Sequence, residues 1–467
     1  MTHALARWID DRLGASRFAR TTLNKVFPDH WSFLLGEFAL YCFLVLLLTG
    51  IFLTFFFEAS TEEVMYEGSF IPMHGVPMTA AFRSTLELSF DVRAGLVMRQ
   101  IHHWAALVFL ASIVAHLCRI FFTGAFRRPR ELNWMVGVTL LLLAVGNGFT
   151  GYSLPDDLLS GTGLRIFYSI FLSVPFIGTW LTFLIFGGEF PAHDIISRLY
   201  IIHVLLVPGA IVGLLVAHMG IMWRQKHTHF CGRGRTEGNV AGIRLWPTYV
   251  AKTLGVFAFV TAVLAGLGGL VQINPVWIYG PFEAADVTTA AQPDWYIGWL
   301  EGALRLFPPW DFTVFGYTVS EVLIPGVILP SLTFALLYAW PFLERRFTGE
   351  REEHHVLDRP RDRPVRTAVG VGVIAFFVVL MLAGGDDVIA EKLGVPIIPV
   401  VWTFRVLLFV LPLLLATFAW KLCRDLAADD PLPDADPEAD TSDPEPEADL
   451  EADPDTEAKV VEQPVQA

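Results

Sequence analysis

Apolar residues in this chain come in long unbroken blocks, without the alternation of a strand or the one-sided stripe of a soluble helix. Blocks of this length cross a bilayer as helices. The pattern predicts about eight of them: roughly Phe33–Phe57, Gly95–Thr123, Trp134–Tyr152, Leu199–Trp223, Tyr249–Val271, Val322–Leu343, Ala368–Ala383 and Val400–Leu422. Between Pro155 and Arg198 two apolar patches stand in semi-polar sequence, which predicts helices lying at the interface. Residues 1–32 mix Arg7, Arg12, Arg17, Arg20 and Lys25 with a few acids, the pattern of an amphipathic surface segment. The stretch 272–320 is rich in Pro, Trp and acids and reads as a long loop. Over residues 426–467 Asp, Glu and Pro dominate, and such sequence cannot bury enough surface to fold, so a disordered tail is expected. The expected fold is an all-α membrane protein in four parts, 1–32, 33–223, 224–425 and 426–467, with membrane lipid as its solvent.

Two of the blocks carry paired histidines. His102 and His116 lie 14 residues apart on the second block, and His203 and His218 lie 15 apart on the fourth. At about 3.6 residues per turn each pair faces within roughly 60° of one direction, its members about 21–23 Å apart along the axis. Intramembrane histidines are costly and usually paired. The same spacing on two helices fits two cofactors stacked through the bilayer, each clamped between one histidine from either helix. His103 points about 100° away from His102 and is not expected to be a ligand.

The first and third blocks repeat the period with glycine: Gly36 and Gly50, then Gly137 and Gly151, each pair 14 apart. Glycine lets a helix backbone approach a flat macrocycle closely. Plain helix packing also uses glycine, but two pairs at the histidine period imply a four-helix bundle with a planar ligand at two levels. Arg99 stands three residues before His102 and Arg119 three after His116. There a guanidinium suits a ligand carboxylate, or simply follows the interfacial charge bias.

Charge orients the bundle. The chain is 54% hydrophobic and 17% charged, and much of its net charge of −14 sits in the tail, so each loop is read separately. Arg127, Arg128 and Arg130 follow the second span, and Arg224, Lys226, Arg233, Arg235 and Arg244 follow the fourth. The loop after the first span instead carries Glu58, Glu62, Glu63, Glu67, Glu87 and Asp91. The positive-inside rule puts the basic loops and both termini in the cytoplasm, with His102 and His203 near the outer face and His116 and His218 near the inner one. Cys42, Cys118, Cys231 and Cys423 form no CxxC or CxxCH, so neither a zinc site nor a self-contained c-type haem attachment is expected. The acidic balance points to no nucleic-acid partner.

The segments RQIHHW, HLCRIFFTGAFRRPRELNW, GYSLP and the PDWY at Pro293–Tyr296 resemble cytochrome b of the quinol:cytochrome c reductase complexes, over nearly the whole chain to about Asp425. The continuous eight-span chain resembles the mitochondrial form, and the spacing of 15 in the fourth span the chloroplast form. LNKVFPDHWSFLLGE, GYSLPDDLLSG, QKHTHFCGRGRTE and PFLERRFTGE are especially similar to the actinobacterial protein, which oxidises menaquinol. The resemblance implies that His102 and His203 ligate a low-potential haem b near the outer face. It implies likewise that His116 and His218 ligate a high-potential haem b near the cytoplasm. The family's PEWY signature at the quinol-oxidation site corresponds to Pro293, Asp294, Trp295 and Tyr296, with aspartate replacing glutamate and shortening the reach by one methylene. The chloroplast form holds an extra haem through a cysteine near the start of its first span. SFLLGE has none here, so two b-type haems are expected. The resemblance further implies a Rieske-type iron–sulfur subunit, a cytochrome c subunit, a dimeric complex, and a supercomplex with a haem–copper oxidase in a bacterial plasma membrane.

The residues themselves agree with this reading. Quinol oxidation needs an acceptor at the outer surface for the protons it releases, and the loop bearing Asp294 and Glu301 is outside by charge topology. These two acids differ by seven and would share one face of a helix. Tyr152 and GYSLP end the third span on that side and are expected to wall the pocket. For the quinone-reduction site, Trp223 stands where the mitochondrial pattern has a histidine, and Arg224, Lys226, His227 and His229 are candidates to supply protons. Two rival functions use part of the pattern. A dihaem anchor of a dehydrogenase needs neither the PDWY loop nor spans six to eight. A proton-coupled transporter would use the histidines as a relay.

Overall fold

The computed structural model describes residues 2–286 and 292–429. Among them are eight helices long and apolar enough to cross a membrane. Spans 1 to 4 are Trp31–Thr54, Gly95–Phe122, Glu131–Tyr152 and Ile195–Arg224, and spans 5 to 8 are Leu245–Leu270, Ile324–Thr348, Pro364–Ala383 and Ile397–Asp429. Several run past their apolar blocks because helical hydrogen bonding continues through the charged ends. Span 8 goes beyond Leu422 to Asp429 through Arg424, Leu426 and Ala427, good helix formers all. The remainder of the expected disordered tail lies outside the described residues.

The connecting segments hold more structure than their composition suggests. Helices Leu158–Leu172 and Gly178–Phe186 occupy the semi-polar stretch before span 4. Residues 272–320, expected as loop, contain helices Val276–Tyr279 and Trp295–Leu306 and a hairpin pairing Phe312–Val314 with Tyr317–Val319. Helix Ala80–Phe90 stands in the first long loop, its N-cap Thr79 accepting from the Phe82 N–H at 3.3 Å.

Span 1 packs along span 2, span 3 along span 4, and span 5 crosses spans 1 and 2. Their shared core includes Phe43, Phe109, Leu110, Leu141, Ala144, Ile211 and Leu264, and it takes in Tyr296 from beyond the bundle. Spans 7 and 8 form a second pair with helix Trp295–Leu306 against them, around Leu306, Val379, Leu380 and Phe404. A β-carbon on Gly302 would lie 2.8 Å from the Gly384 nitrogen. The helix and the end of span 7 therefore touch backbone to backbone, which only glycine at 302 permits.

At the end where span 7 starts, buried Arg366 donates to Glu344 of span 6 and, at 2.7 Å, to Asp358. Arg127, from the loop after span 2, reaches Asp358 at 3.1 Å. This network ties three parts of the chain together, and removing one partner would leave the others as buried unpaired charge.

Span 4 is not uniformly α-helical. Residues Ile202–Leu206 form a π turn in which the Val207 N–H bonds to the Ile202 carbonyl. Pro208 follows directly and has no N–H to give the α-type bond.

Candidate functional site

The rings of His102 and His203 face each other across the bundle, their centroids 6.1 Å apart and their planes at 72°. Each ring is oriented through Nδ1. His102 Nδ1 donates to the Thr49 hydroxyl at 2.9 Å, whose own proton goes to the Val45 carbonyl. His203 Nδ1 donates to the Asn147 carbonyl at 2.9 Å. With Nδ1 protonated, the Nε2 lone pair is free for a metal, and the second hydrogen bond sets the ring's direction. Metal–imidazole bonds run about 2 Å, so two rings ligating one metal from opposite sides have centroids about 6 Å apart. The His102–His203 separation fits that arrangement.

His116 lies within electrostatic reach of His218 at the second level. Here both Nδ1 atoms are buried without a hydrogen-bond partner. The two arginines singled out by spacing are also buried with donors to spare. Arg99 gives Nη2 to the Asn274 carbonyl at 3.0 Å, while its Nε has no partner. Arg119 stacks 4.1 Å over the Phe33 ring, with Nε and Nη2 unpartnered. Unpaired buried guanidinium donors are costly, and a carboxylate-bearing ligand would satisfy them. Haem, with two axial positions and two propionates, suits this donor set at both levels.

All four expected glycines face histidine rings. A β-carbon on Gly36 would come 3.2 Å from His116, one on Gly50 3.3 Å from His102, and one on Gly137 3.7 Å from His218. On Gly151 it would fall against His203, 2.8 Å from Nδ1 and from Nε2. The close approach expected for a macrocycle is thus, within the chain itself, an approach to the imidazoles.

A cavity of about 250 Å³ opens beside the His102–His203 level. Its wall includes Tyr152, Pro155, Asn274, Asp294 and Tyr296 as well as both histidines. Asp294 stands just before helix Trp295–Leu306 and turns into this cavity. There its two oxygens lie 2.9 and 3.0 Å from His103 Nε2. Tyr296 is buried next to it, and burial together with the Asp294 carboxylate raises its phenol pKa well above the usual value. Its hydroxyl presses on span 3, where a β-carbon on Gly148 would come within 2.6 Å.

Glu301 is placed elsewhere. Its carboxylate accepts from Arg305 Nε at 2.9 Å and from Nη2 at 2.5 Å, and Arg305 also binds Asp386 at 2.6 Å and Asp387 at 3.0 Å. The expected common face with Asp294 fails because Asp294 precedes the helix, so the seven-residue spacing is not helical throughout. Burial raises the Glu301 pKa against the pull of Arg305.

Around the His116–His218 level, Lys25 Nζ binds the Trp223 carbonyl and lies 4.1 Å over its ring. The His227 ring lies tilted against Phe27, centroids 4.5 Å apart, and burial, Lys25 and Arg130 lower its pKa to about 4, so it is neutral at physiological pH. His229 bonds the Thr236 carbonyl at 3.1 Å.

His103 is the site residue that spacing set aside, and only the doubled histidine of RQIHHW signals it in the sequence. Thr49 and Asn147 carry no spacing signal of their own. Each stands near a bundle glycine, one residue before Gly50 and four before Gly151.

Residues 107–281 match the family model described as Cytochrome b(N-terminal)/b6/petB. The chain is 48% identical to the cytochrome bc1 complex cytochrome b subunit of Streptomyces coelicolor over 91% of its length and 78% of the relative's. It is 51% identical to that of Mycobacterium tuberculosis over 90% and 77%, and 48% identical to that of Corynebacterium diphtheriae over 90% and 78%. A solved chain described as hyperthermophilic respiratory Complex III superposes with a TM-score of 0.66 at 18% identity, over 89% of this chain and 98% of that one, a likeness of fold. With its histidine-bearing bundle and this level of identity, the chain belongs to the cytochrome b subunits of cytochrome bc1 complexes, integral membrane, haem-binding subunits of quinol:cytochrome c reductases.

Proposed function

We propose that this subunit oxidises menaquinol in the cavity beside His102 and His203, at the outer face of a bacterial plasma membrane, with both termini in the cytoplasm. The observation that carries the reading is that Asp294 shares one cavity with that histidine pair. A carboxylate there receives the quinol proton at the place where the electrons leave, and exit on that side makes the reaction electrogenic. Asp294 is the acceptor, His103 binds both its oxygens, and Tyr296 with Tyr152 closes the wall. Two b-type haems, one per histidine pair, would supply a one-electron path across the membrane, so that one quinol electron leaves to a Rieske-type iron–sulfur partner and the other reduces quinone on the cytoplasmic side. Arg99 and Arg119 would hold the propionates through their unpartnered donors. Membership of the relatives in cytochrome bc1 complexes supports partner subunits; a cytochrome c subunit, a dimeric complex and a supercomplex with a haem–copper oxidase complete the proposed setting.

The test is a redox titration of the purified complex followed by its reduced-minus-oxidised spectrum, with menaquinol-driven cytochrome c reduction measured alongside. Two resolved b-type transitions and menaquinol-dependent turnover are expected. A single transition, or turnover indifferent to loss of the Asp294 carboxylate, would overturn the reading.

A further inference from the structure

His103 follows a ligand in sequence yet belongs to a different constellation. Its Nε2 lies nearly equidistant from the two oxygens of Asp294, at 2.9 and 3.0 Å. The side chains are only 14% and 15% exposed, and both line the cavity. An ionised carboxylate only accepts, so the ring nitrogen must be the donor. Asp294 stands in the N-cap position of helix Trp295–Leu306, but its side chain makes no capping bond there. The carboxylate is therefore not tied to the backbone of its own helix, although the Tyr296 hydroxyl of that helix interacts with it. The contact that reaches both of its oxygens comes from span 2, from a residue 191 positions away in sequence.

We propose that His103 is a positioning residue for quinol oxidation: its Nε2–H, shared between both oxygens of Asp294, holds that carboxylate facing the cavity beside His102 and His203. The inference rests on the quinol-oxidation reading above. A shared N–H fixes the plane of the carboxylate as well as its distance, which a single-point contact would not. Aspartate has one methylene less than glutamate with which to search for the quinol hydroxyl, so a fixed aim matters more here. A neutral imidazole suffices, and no change in its charge is required. Proton transfer needs a donor–acceptor distance of about 2.6–3.2 Å. A misplacement of about 1 Å in a reacting group costs on the order of 10²-fold in rate.

The experiment compares His103→Leu, His103→Gln and Asp294→Asn in the intact complex, reading haem content, kcat and KM for a water-soluble menaquinol analogue. In His103→Leu both haems should remain with unchanged spectra, KM should stay near wild type, and kcat should fall roughly 10- to 100-fold. His103→Gln, whose amide keeps an N–H donor, should recover most of the loss. The His103→Leu, Asp294→Asn double variant should be no slower than Asp294→Asn alone, because the histidine acts only through the carboxylate. Wild-type kcat in His103→Leu, set beside a slow Asp294→Asn, overturns the positioning role and leaves the parent reading intact. Loss of haem in both His103 variants would assign the residue to bundle structure and overturn it equally. Wild-type turnover in Asp294→Asn would sink the parent reading and this inference with it.

Discussion

Gly151 of span 3 and His203 of span 4 are in direct backbone-to-ring contact, with the space for a β-carbon already filled by the imidazole. The four bundle glycines differ in this respect, so their substitutions should rank. Gly151→Ala should displace the ring and lower occupancy of the His102–His203 level. Gly36→Ala and Gly50→Ala, at 3.2 and 3.3 Å, should cost less, and Gly137→Ala, at 3.7 Å, should be tolerated. Haem-to-protein ratios across the four variants check the order, and equal ratios would return these positions to plain helix packing.

On the proposed two-haem reading, removing one histidine of a pair should empty one level and spare the other. His102→Ala and His203→Ala should each abolish the same b-type redox transition, and His116→Ala and His218→Ala the other. The pairing is wrong if variants on one level remove different transitions.

Asp294→Asn keeps shape and hydrogen-bonding capacity but removes the base. General-base assistance is worth about 10²–10⁴-fold, so quinol oxidation limited by this proton should slow by up to that factor at unchanged haem content. Glu301→Gln should act differently, since its carboxylate holds Arg305 outside the cavity wall. It should lower the apparent Tm more than the turnover per haem. A Glu301→Gln enzyme as slow as Asp294→Asn would restore Glu301 to the proton path.

Asp157, in the loop after span 3, caps helix Leu158–Leu172 and is fully buried, which pushes its pKa from 3.8 up to about 6. The folded state thus binds this proton more tightly than the unfolded chain does. The contribution is fully present below the unfolded value, near pH 4, and is lost as pH rises through the folded value near 6. The shift corresponds to roughly 3 kcal/mol. Asp157→Asn, which still offers an acceptor to Ser160, should remove the term, so its apparent Tm should gain on wild type between pH 4 and 7. Parallel Tm profiles would show that the buried carboxylate is not the group responsible.

The spans are legible because lipid-facing helices must be apolar all round, and the facing of His102 and His203 because side chains that meet across two helices share a common period. His103 is not, since its partner lies on a segment that only tertiary packing brings to span 2. Glu301 does not share a face with Asp294 for a related reason: Asp294 stands outside the helix, so helical periodicity does not run from it to Glu301. The structure within 272–320 escaped notice because short helices and a two-strand hairpin leave too few periods to count. Nor can spacing show that the Asn147 carbonyl orients the His203 ring, because a backbone acceptor leaves no side-chain signature.

The π turn at Ile202–Leu206 accounts for an oddity in the ligand spacing. A π turn takes up about one residue more than an α turn. The 15 residues from His203 to His218 therefore wind through nearly the same angle as the 14 from His102 to His116. The surplus residue is stored inside span 4, next to Pro208, which has no N–H to give the α ladder. A one-residue deletion within 204–206 should be absorbed by tightening that turn into α-helix, with both histidines still in phase. Equal numbers of turns, rather than equal numbers of residues, keep the two levels aligned, and chains of different length can share one haem geometry.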